Sequence, residues 1–264
     1  FFIEASKIKG VYVPKLYDAS YTDGWFEKIT VKGGAPSSVS KSILKDLDEA
    51  PWPKEPIVPF LNIIFDRVTL EIFRGCTRGC RFCQAGMIYR PLREKSVDKV
   101  VEQVLHNLEA TGCDELTLTS LSTGDYPKLI ELIRRLVKET SNCPTSISLP
   151  SLRIDAYAKE FMALNNSRKS GLTLAPEAGS QRLRDVINKN VTQEDLRSSV
   201  SDAFNNGYDT VKLYFMIGLP TETYEDLDGI YELTKMVQDE YYNIPKEKRK
   251  RKVRITVSAS SFVP

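Results

Sequence analysis

Three cysteines fall within eight residues, in Cys76-Thr77-Arg78-Gly79-Cys80-Arg81-Phe82-Cys83. Thiolates spaced CxxxCxxC can hold a cubane 4Fe–4S cluster by three of its irons and leave the fourth without a protein ligand. Ferredoxins fill all four positions with cysteine. An iron left open takes a substrate or cofactor, as the open zinc position does in catalytic sites. Other uses of the triplet fit less well. A zinc ribbon needs four ligands, usually as two CxxC pairs. The remaining cysteines, Cys113 and Cys143, are isolated, and His106 is the sole histidine. A bacterial ferredoxin run reads CxxCxxC and ends in Cys-Pro, whereas here the first gap is three residues and Gln84 follows Cys83. Three buried structural cysteines are the blandest option, but a segment with two arginines and a glycine makes a poor core.

The elements that must position this loop alternate strand and helix from Val68 onward, the mark of a parallel sheet. The apolar run Val68–Phe73 is strand one, ending just before the cysteines. A helix starting at Ser96 carries the stripe Val97, Val100, Val101, Val104, Leu105 and Leu108, and Gly112 is placed to end it. His106 falls off that stripe and is expected to face solvent. Strand two is Glu115–Thr119, followed by a helix on Leu129, Ile130, Ile133, Leu136 and Val137. Strand three, Ser146–Leu149, precedes a helix near Ala156–Leu164. Strand four, Gly171–Ala175, precedes helices from about Ser180 and from Thr192. Strand five is Thr210–Ile217, and a helix from Thr223, with Asp226 at capping-box distance, runs to about Tyr241. Strand six is Val253–Ser258. Six β/α units are two short of a closed barrel, so the expected fold is an α/β incomplete (β/α)6 TIM-like barrel over residues 61–264. Residues 1–60 are punctuated by Pro36, Pro51, Pro53, Pro56 and Pro59 and read as a linker plus an appended element, with one short helix over Ser37–Leu47.

Each further motif lies just after a strand, so all should gather at one end of the sheet. After strand two, Ser120-Leu121-Ser122-Thr123-Gly124-Asp125 combines a glycine that lets a ligand approach the backbone with an acceptor for an ammonium. An ordinary turn with Asp125 as a cap fits the same residues. After strand four come Ala175-Pro176-Glu177-Ala178-Gly179-Ser180 and then Ile187-Asn188-Lys189, where Lys189 could also complement a helix C-terminus. After strand five comes Ile217-Gly218-Leu219-Pro220-Thr221-Glu222-Thr223, whose Gly and Pro suit a plain strand-to-helix turn equally well. Arg74, Arg78, Arg81, Arg90 and Arg93 surround the cysteines, where guanidinium groups offset an anionic cluster and tune its potential. Arg93 reads as surface charge.

The CxxxCxxC triplet, with aromatic Phe82 before the third cysteine, resembles the signature of the radical S-adenosylmethionine (radical SAM) superfamily. The wider stretch from Arg74 to Gly86 resembles a group that joins a cobalamin-binding domain to a radical SAM domain, and Gly10-Val11-Tyr12-Val13-Pro14 is similar to the exit from that cobalamin domain. The likeness runs from about Ile8 to Pro264. It implies that Cys76, Cys80 and Cys83 hold the cluster and that the SAM amino group lies at Ser122, Gly124 and Asp125. It further implies that Glu177, Ser180 and Lys189 stand where radical methylthiotransferases contact SAM, with Glu177 on the ribose. Lys189 replaces an arginine and lacks its bidentate fork. Ile217 and Gly218 would touch the adenine. The implied chemistry is one-electron cleavage of SAM, bound to the open iron, to methionine and a 5′-deoxyadenosyl radical that removes hydrogen from a substrate. A reductant such as flavodoxin or ferredoxin would feed it, and cobalamin, held by a domain outside this sequence, would permit methyl transfer. A methylthiotransferase carries a second cluster on N-terminal cysteines, and no cysteine precedes Cys76.

Composition bounds the partners. With 264 residues, 41% of them apolar, the chain can bury roughly 75% of its unfolded surface. No apolar run reaches the roughly 18 residues of a membrane span, no secretory leader opens the chain, and five cysteines, an odd count with the triplet too close together for a disulfide framework, fit a reducing cytosol. Lys+Arg of 37 against Asp+Glu of 35 gives no overall field for nucleic acid. The run Lys246-Glu247-Lys248-Arg249-Lys250-Arg251-Lys252 is the exception, read as a solvated loop or a weak RNA contact stacking bases on Tyr241 and Tyr242. Both ends, Phe1-Phe2 and Phe262-Val263-Pro264, read as cut from a longer polypeptide. Two other classes compete with the enzyme: an iron–sulfur electron carrier and an RNA-binding module.

Overall fold

The computed structural model describes residues 1–61, 63–143, 145–149, 154, 171–249 and 252–263. The expected helix at Ala156–Leu164 and part of the basic run at 246–252 lie outside them. Contacts divide the chain into Phe1–Lys45 and Asp46–Pro264.

The first unit holds a short helix, α1 (Phe2–Ser6), and an antiparallel hairpin of β1 (Tyr17–Thr22) and β2 (Trp25–Val31). Its turn is Asp23-Gly24, both with positive φ (51° and 82°), the arrangement that matches the twist of paired strands. No helix forms over Ser37–Leu47. Ile43 and Leu44 stay exposed and only Leu47 is buried, so the segment has no apolar face to dock, and a helix this short does not hold itself together in water.

In the second unit, β3 (Val68–Glu71), β6 (Glu115–Thr119) and β7 (Ser146–Ser148) form one parallel sheet in the order β3-β6-β7. A second parallel sheet runs β8 (Leu172–Glu177), β9 (Thr210–Ile217) and β10 (Arg254–Ser261). Strand one does not continue through Phe73. Instead β4 (Phe73–Arg74) turns off to pair with β5 (Arg93–Glu94), on the far side of the cysteine loop and of the short helix α2 (Ala85–Ile88). Ile72 marks the switch: its N–H donates to Thr119 of the sheet, and its carbonyl accepts from the Lys95 N–H beyond β5. The loop is therefore clamped at both ends by backbone bonds.

Helix α3 (Val97–Thr111) is capped by the Ser96 hydroxyl, which accepts from the Lys99 N–H, and ends on Gly112 at φ 70°. His106 is exposed, as its place off the stripe requires, with its Nε2 2.8 Å from the Lys54 carbonyl. On α4 (Leu129–Glu139) the buried stripe is Leu129, Leu132, Ile133 and Leu136. Val137 turns outward, because a helix twisting 3.6 residues per turn presents Leu132 rather than Val137 to the sheet. These helices close the first core on Leu70, Ile72, Leu116 and Leu118. The second core packs Leu174, Leu213 and Phe215 against α6 (Gln193–Asn205) and α7 (Tyr224–Tyr242). Both helices begin with full capping boxes, Thr192 with Asp195 and Thr223 with Asp226. Each fully buried Leu or Phe in these cores contributes about 1.5–3 kcal/mol. Burial on this scale holds the loops at the strand ends.

Candidate cluster and cofactor site

The cysteine loop is entered through Gly75, at φ 101°, where a Cβ would stand 2.9 Å from the Pro91 carbonyl and 3.0 Å from that of Tyr89. Only glycine passes this point. Cys76, Cys80 and Cys83 follow as free, partly buried thiols, and the Cys83 N–H donates to the Cys80 carbonyl at 3.0 Å to close the last turn. The loop is braced from far along the chain. Asn188, at φ 53°, donates from Nδ2 to the Gly79 carbonyl at 2.9 Å and to that of Arg78 at 3.4 Å. The Arg81 N–H donates to the Ile187 carbonyl at 2.9 Å, and its guanidinium to the Val186 carbonyl at 2.6 Å. Arg81 is thus a brace, Arg74 is paired with Glu71 at 2.6 Å, and Arg93 bonds the Pro91 and Tyr89 carbonyls.

The donors that the loop offers are three thiols, the ligand type that holds a 4Fe–4S cluster. Among the described residues no three His, Cys, Asp or Glu side chains converge on a point that could hold one metal ion.

The other expected residues fall into three groups. Asp125 meets the cysteine loop itself. Arg78 grips it with both ends of its guanidinium, Nε to Oδ2 at 2.8 Å and the second nitrogen to Oδ1, while the buried Ser122 hydroxyl donates to Oδ2 at 2.7 Å. Gly124 sits in the same short turn, Thr123–Asp125. In the second group, Lys189 Nζ lies 3.1 Å from Glu177 and 5.8 Å from the centre of the Phe82 ring. Glu177 holds φ 71°, a strained conformation for a non-glycine residue at the end of β8. The third group is Ile217 and Gly218, both exposed, with the Gly218 N–H donating to Glu222 at 2.8 Å.

Ser180 has two partners within the chain. Its hydroxyl accepts from the Leu183 N–H as the cap of α5 (Gln181–Val186) and donates to Asp226 on α7. Asp226 is buried and also receives Arg182 and the Thr223 N–H. Burial pushes its carboxyl pKa up, but the hydrogen bonds from Ser180, Thr223 and Arg182 outweigh it and hold the pKa at about 2. Since the folded value lies below the unfolded carboxylate range near about 3.9, this group stabilises the fold fully above that range. Its contribution is lost as pH falls toward 2. The melting temperature of the wild type should therefore drop across that window. Asp226→Asn should melt several degrees lower at neutral pH and lose less on acidification; parallel pH profiles for the two proteins would contradict this.

Two features here had no sequence signal that we read. Arg184 is buried and spends its guanidinium on the carbonyls of Val191, Ala178 and Gly179, each at 3.0 Å. It ties the Glu177 segment to the Lys189 segment. Gly179 and Gly229 let that segment pack directly on α7: a Cβ on Gly179 would fall 2.2 Å from the Asp226 carbonyl oxygen. Glycine inside a helix costs about 1 kcal/mol relative to alanine, so Gly229 in α7 was the available clue to close backbone approach.

Both tyrosines expected beside the basic run have aromatic or cationic neighbours within the chain. Tyr241 is a core residue, edge-on to Phe204 with centroids 5.2 Å apart, and the Arg249 guanidinium covers the Tyr242 ring at 5.3 Å.

A parallel α/β domain carrying a three-cysteine loop at its strand ends defines a class. The chain belongs to the radical SAM superfamily, whose family model matches residues 70–234, well over half its length. Enzymes of this class work with a 4Fe–4S cluster and SAM. An uncharacterized protein of Methanocaldococcus jannaschii is 38% identical over 189 residues, covering 72% of this chain and 39% of that protein. A threonylcarbamoyladenosine tRNA methylthiotransferase of Aquifex aeolicus is 26% identical over 187 residues, covering 67% and 45%. The fold is similar to that of a solved radical S-adenosylmethionine methyltransferase, TsrM from Kitasatospora setae, with cobalamin and a [4Fe-4S] cluster bound. The TM-score is 0.51 at 18% identity, covering 63% of this chain and 34% of that one. The chain thus spans less than half the length of these relatives. Among the described residues no helix is long and apolar enough to cross a membrane.

Proposed function

We propose that this chain is the radical-generating core of a larger enzyme, an incomplete (β/α)6 barrel in which Cys76, Cys80 and Cys83 hold a 4Fe–4S cluster. When bound, the cluster supplies the electron that cleaves SAM to methionine and a 5′-deoxyadenosyl radical. One observation carries the reading: the cysteine loop is joined to two other strand ends at once. Arg78 joins it to the turn after β6, and Asn188 and Phe82 join it to the segment after β8. The two parallel sheets, each with its strands in chain order (β3-β6-β7 and β8-β9-β10), support this reading.

In this reading each strand end has a task. Glu177, fixed by Lys189 and by its strained backbone, accepts hydrogen bonds from ribose hydroxyls. Phe82 covers one side of the cofactor and keeps water from the cluster. Exposed Ile217 packs on the adenine, and the Gly218 backbone approaches it where a side chain would intrude. Asp125, steadied by Ser122, accepts from the ammonium. Ser180 acts through its cap and through Asp226, fixing the loop rather than touching the cofactor. Cobalamin on a neighbouring domain, for methyl transfer, belongs to the same reading, supported by the stretch around Gly10–Pro14 and by the fold of the Kitasatospora enzyme.

Glu177→Gln tests the ribose contact. It keeps the shape but weakens a charge-assisted bond, so the dissociation constant for SAM should rise about tenfold with iron content unchanged. Calorimetry on the reconstituted protein reads it, and unaltered affinity would remove Glu177 from the site.

A further inference from the structure

Strand β9 sorts its side chains to two faces. Val211, Leu213 and Phe215 pack in the second core with the helices, so Lys212, Tyr214 and Met216 stand on the opposite face. The parallel register sets Thr256 of β10 beside Lys212, Ser258 beside Tyr214 and Ser260 beside Met216, and Thr173 of β8 flanks Lys212 on its other side. The face is rich in hydroxyls, and Lys212 is the one charged residue at these positions. Parallel strands are ordinarily apolar on both faces, and the inward positions of a barrel are ordinarily bulky and branched. This face departs from what packing alone selects. Lys212 is partly buried. Its ammonium lies 4.5 Å from the centre of the Tyr214 ring, and among the described residues neither it nor the Tyr214 hydroxyl has a hydrogen-bonding or carboxylate partner. Near the C-terminal end of the strand, Met216 packs on the same apolar group, Ala178, Leu183, Ile187 and Leu219, as Phe82 of the cysteine loop.

We infer that this face holds the substrate, and that the substrate carries an anionic group, a carboxylate or a phosphate, taken by the Lys212 ammonium and the Tyr214 O–H. The inference rests on the reading of the site given above and adds to it the class of substrate. An ammonium among hydroxyls, with no carboxylate beside it, leaves one role unfilled, that of an anion. The hydroxyls of Thr173, Thr256 and Ser258 stand in register to donate to its further oxygens. The tyrosine ring holds the ammonium in place by its π face. Four residues separate Lys212 from Met216, about 13 Å of strand. The anionic end of the substrate therefore lies away from the level of Phe82, and its reacting end faces the cofactor. A neutral analogue of the same shape covers Lys212 without giving it a counter-ion, and this sets the selectivity.

The test uses two small anions as probes. Succinate and glycerol 3-phosphate are titrated by calorimetry into the reconstituted full-length protein with SAM present at saturation, so that the cofactor's own contacts are filled, and SAM affinity is measured alongside. At least one probe should bind the wild type, and the tighter of the two names the anion as carboxylate or phosphate. Lys212→Met and Tyr214→Phe should each weaken that probe by about tenfold. Lys212→Arg keeps the charge and should stay within about threefold of the wild type. If Lys212→Met fails to fold, Tyr214→Phe decides. A wild type that binds SAM but neither probe overturns the inference and leaves the reading of the cofactor site standing. Probe binding that survives undiminished in Lys212→Met also overturns it, as does a Lys212→Met protein that loses SAM in step with the probe. A wild type that binds no SAM overturns the reading of the whole site, and the inference with it.

Discussion

Cys80→Ala should retain little iron and cleave SAM at a rate lower by at least on the order of 1,000-fold, because the three thiolates act as a unit. The middle cysteine is the most exacting choice. It is joined to Cys83 by a backbone turn and lies beside Gly79, which Asn188 holds. Removing its sulfur leaves the loop braced as before but with one iron unsupported. Folding should persist, since the partly exposed cysteines stand outside the buried residues of the three cores. Cys143→Ala is the control: that thiol is exposed, and its loss should change neither iron content nor turnover. Iron analysis, visible absorption and product quantitation on the three proteins check this. Full iron and full turnover in Cys80→Ala would remove it from the ligand set.

Gly179→Ala should destabilise the protein by about 3 kcal/mol, lowering the melting temperature by roughly 6–12 °C for a domain of this size. The added methyl would meet the Asp226 carbonyl oxygen at 2.2 Å, the Ile230 nitrogen at 2.4 Å and the Gly229 carbonyl carbon at 2.6 Å. All three are backbone atoms of one helix, so no side chain can swing aside. The segment Glu177–Ser180 must lift from α7, which strains the Arg184 bonds to Ala178 and Gly179 and moves Glu177. Weaker SAM binding should accompany the lost stability. Gly112→Ala is the contrast: its Cβ would meet nothing within 4 Å, and only the positive φ opposes it, so the cost should be about 1 kcal/mol. Calorimetric melting of both variants checks the order; equal losses would mean that the contact of Gly179 with α7 gives way at little cost.

The contrast also shows what could be read from the chain beforehand. Strands β6 and β9 and the starts of α3, α6 and α7 were legible because each is fixed locally. Alternating apolar residues, a Ser or Thr cap and an acidic third residue are all written in adjacent letters. The hairpin of β1 and β2 was passed over although Asp23-Gly24 announces it and Tyr17, Ala19 and Tyr21 alternate with Asp18, Ser20 and Thr22; its strands are short and mostly exposed. The short helix expected over Ser37–Leu47 failed for the converse reason, since its apolar residues find no surface to cover. The cysteines identify themselves by spacing. What joins them to the rest does not: Asn188 reaches Gly79 across 109 residues, and Arg78 reaches Asp125 across 47. Such pairs exist only once the strands are side by side. Ser180 is the instructive case, since its hydroxyl serves Asp226 and a helix cap, a structural duty that its place in a ligand-like motif conceals.

Cleavage of SAM by this protein is the step on which the proposed function depends. The direct measurement takes the full-length protein, purified and reconstituted without oxygen, reduces its cluster, adds SAM and follows 5′-deoxyadenosine and methionine by chromatography. The account predicts that the two accumulate together and that neither forms without reductant. A fully loaded, fully reduced protein that leaves SAM intact would contradict it.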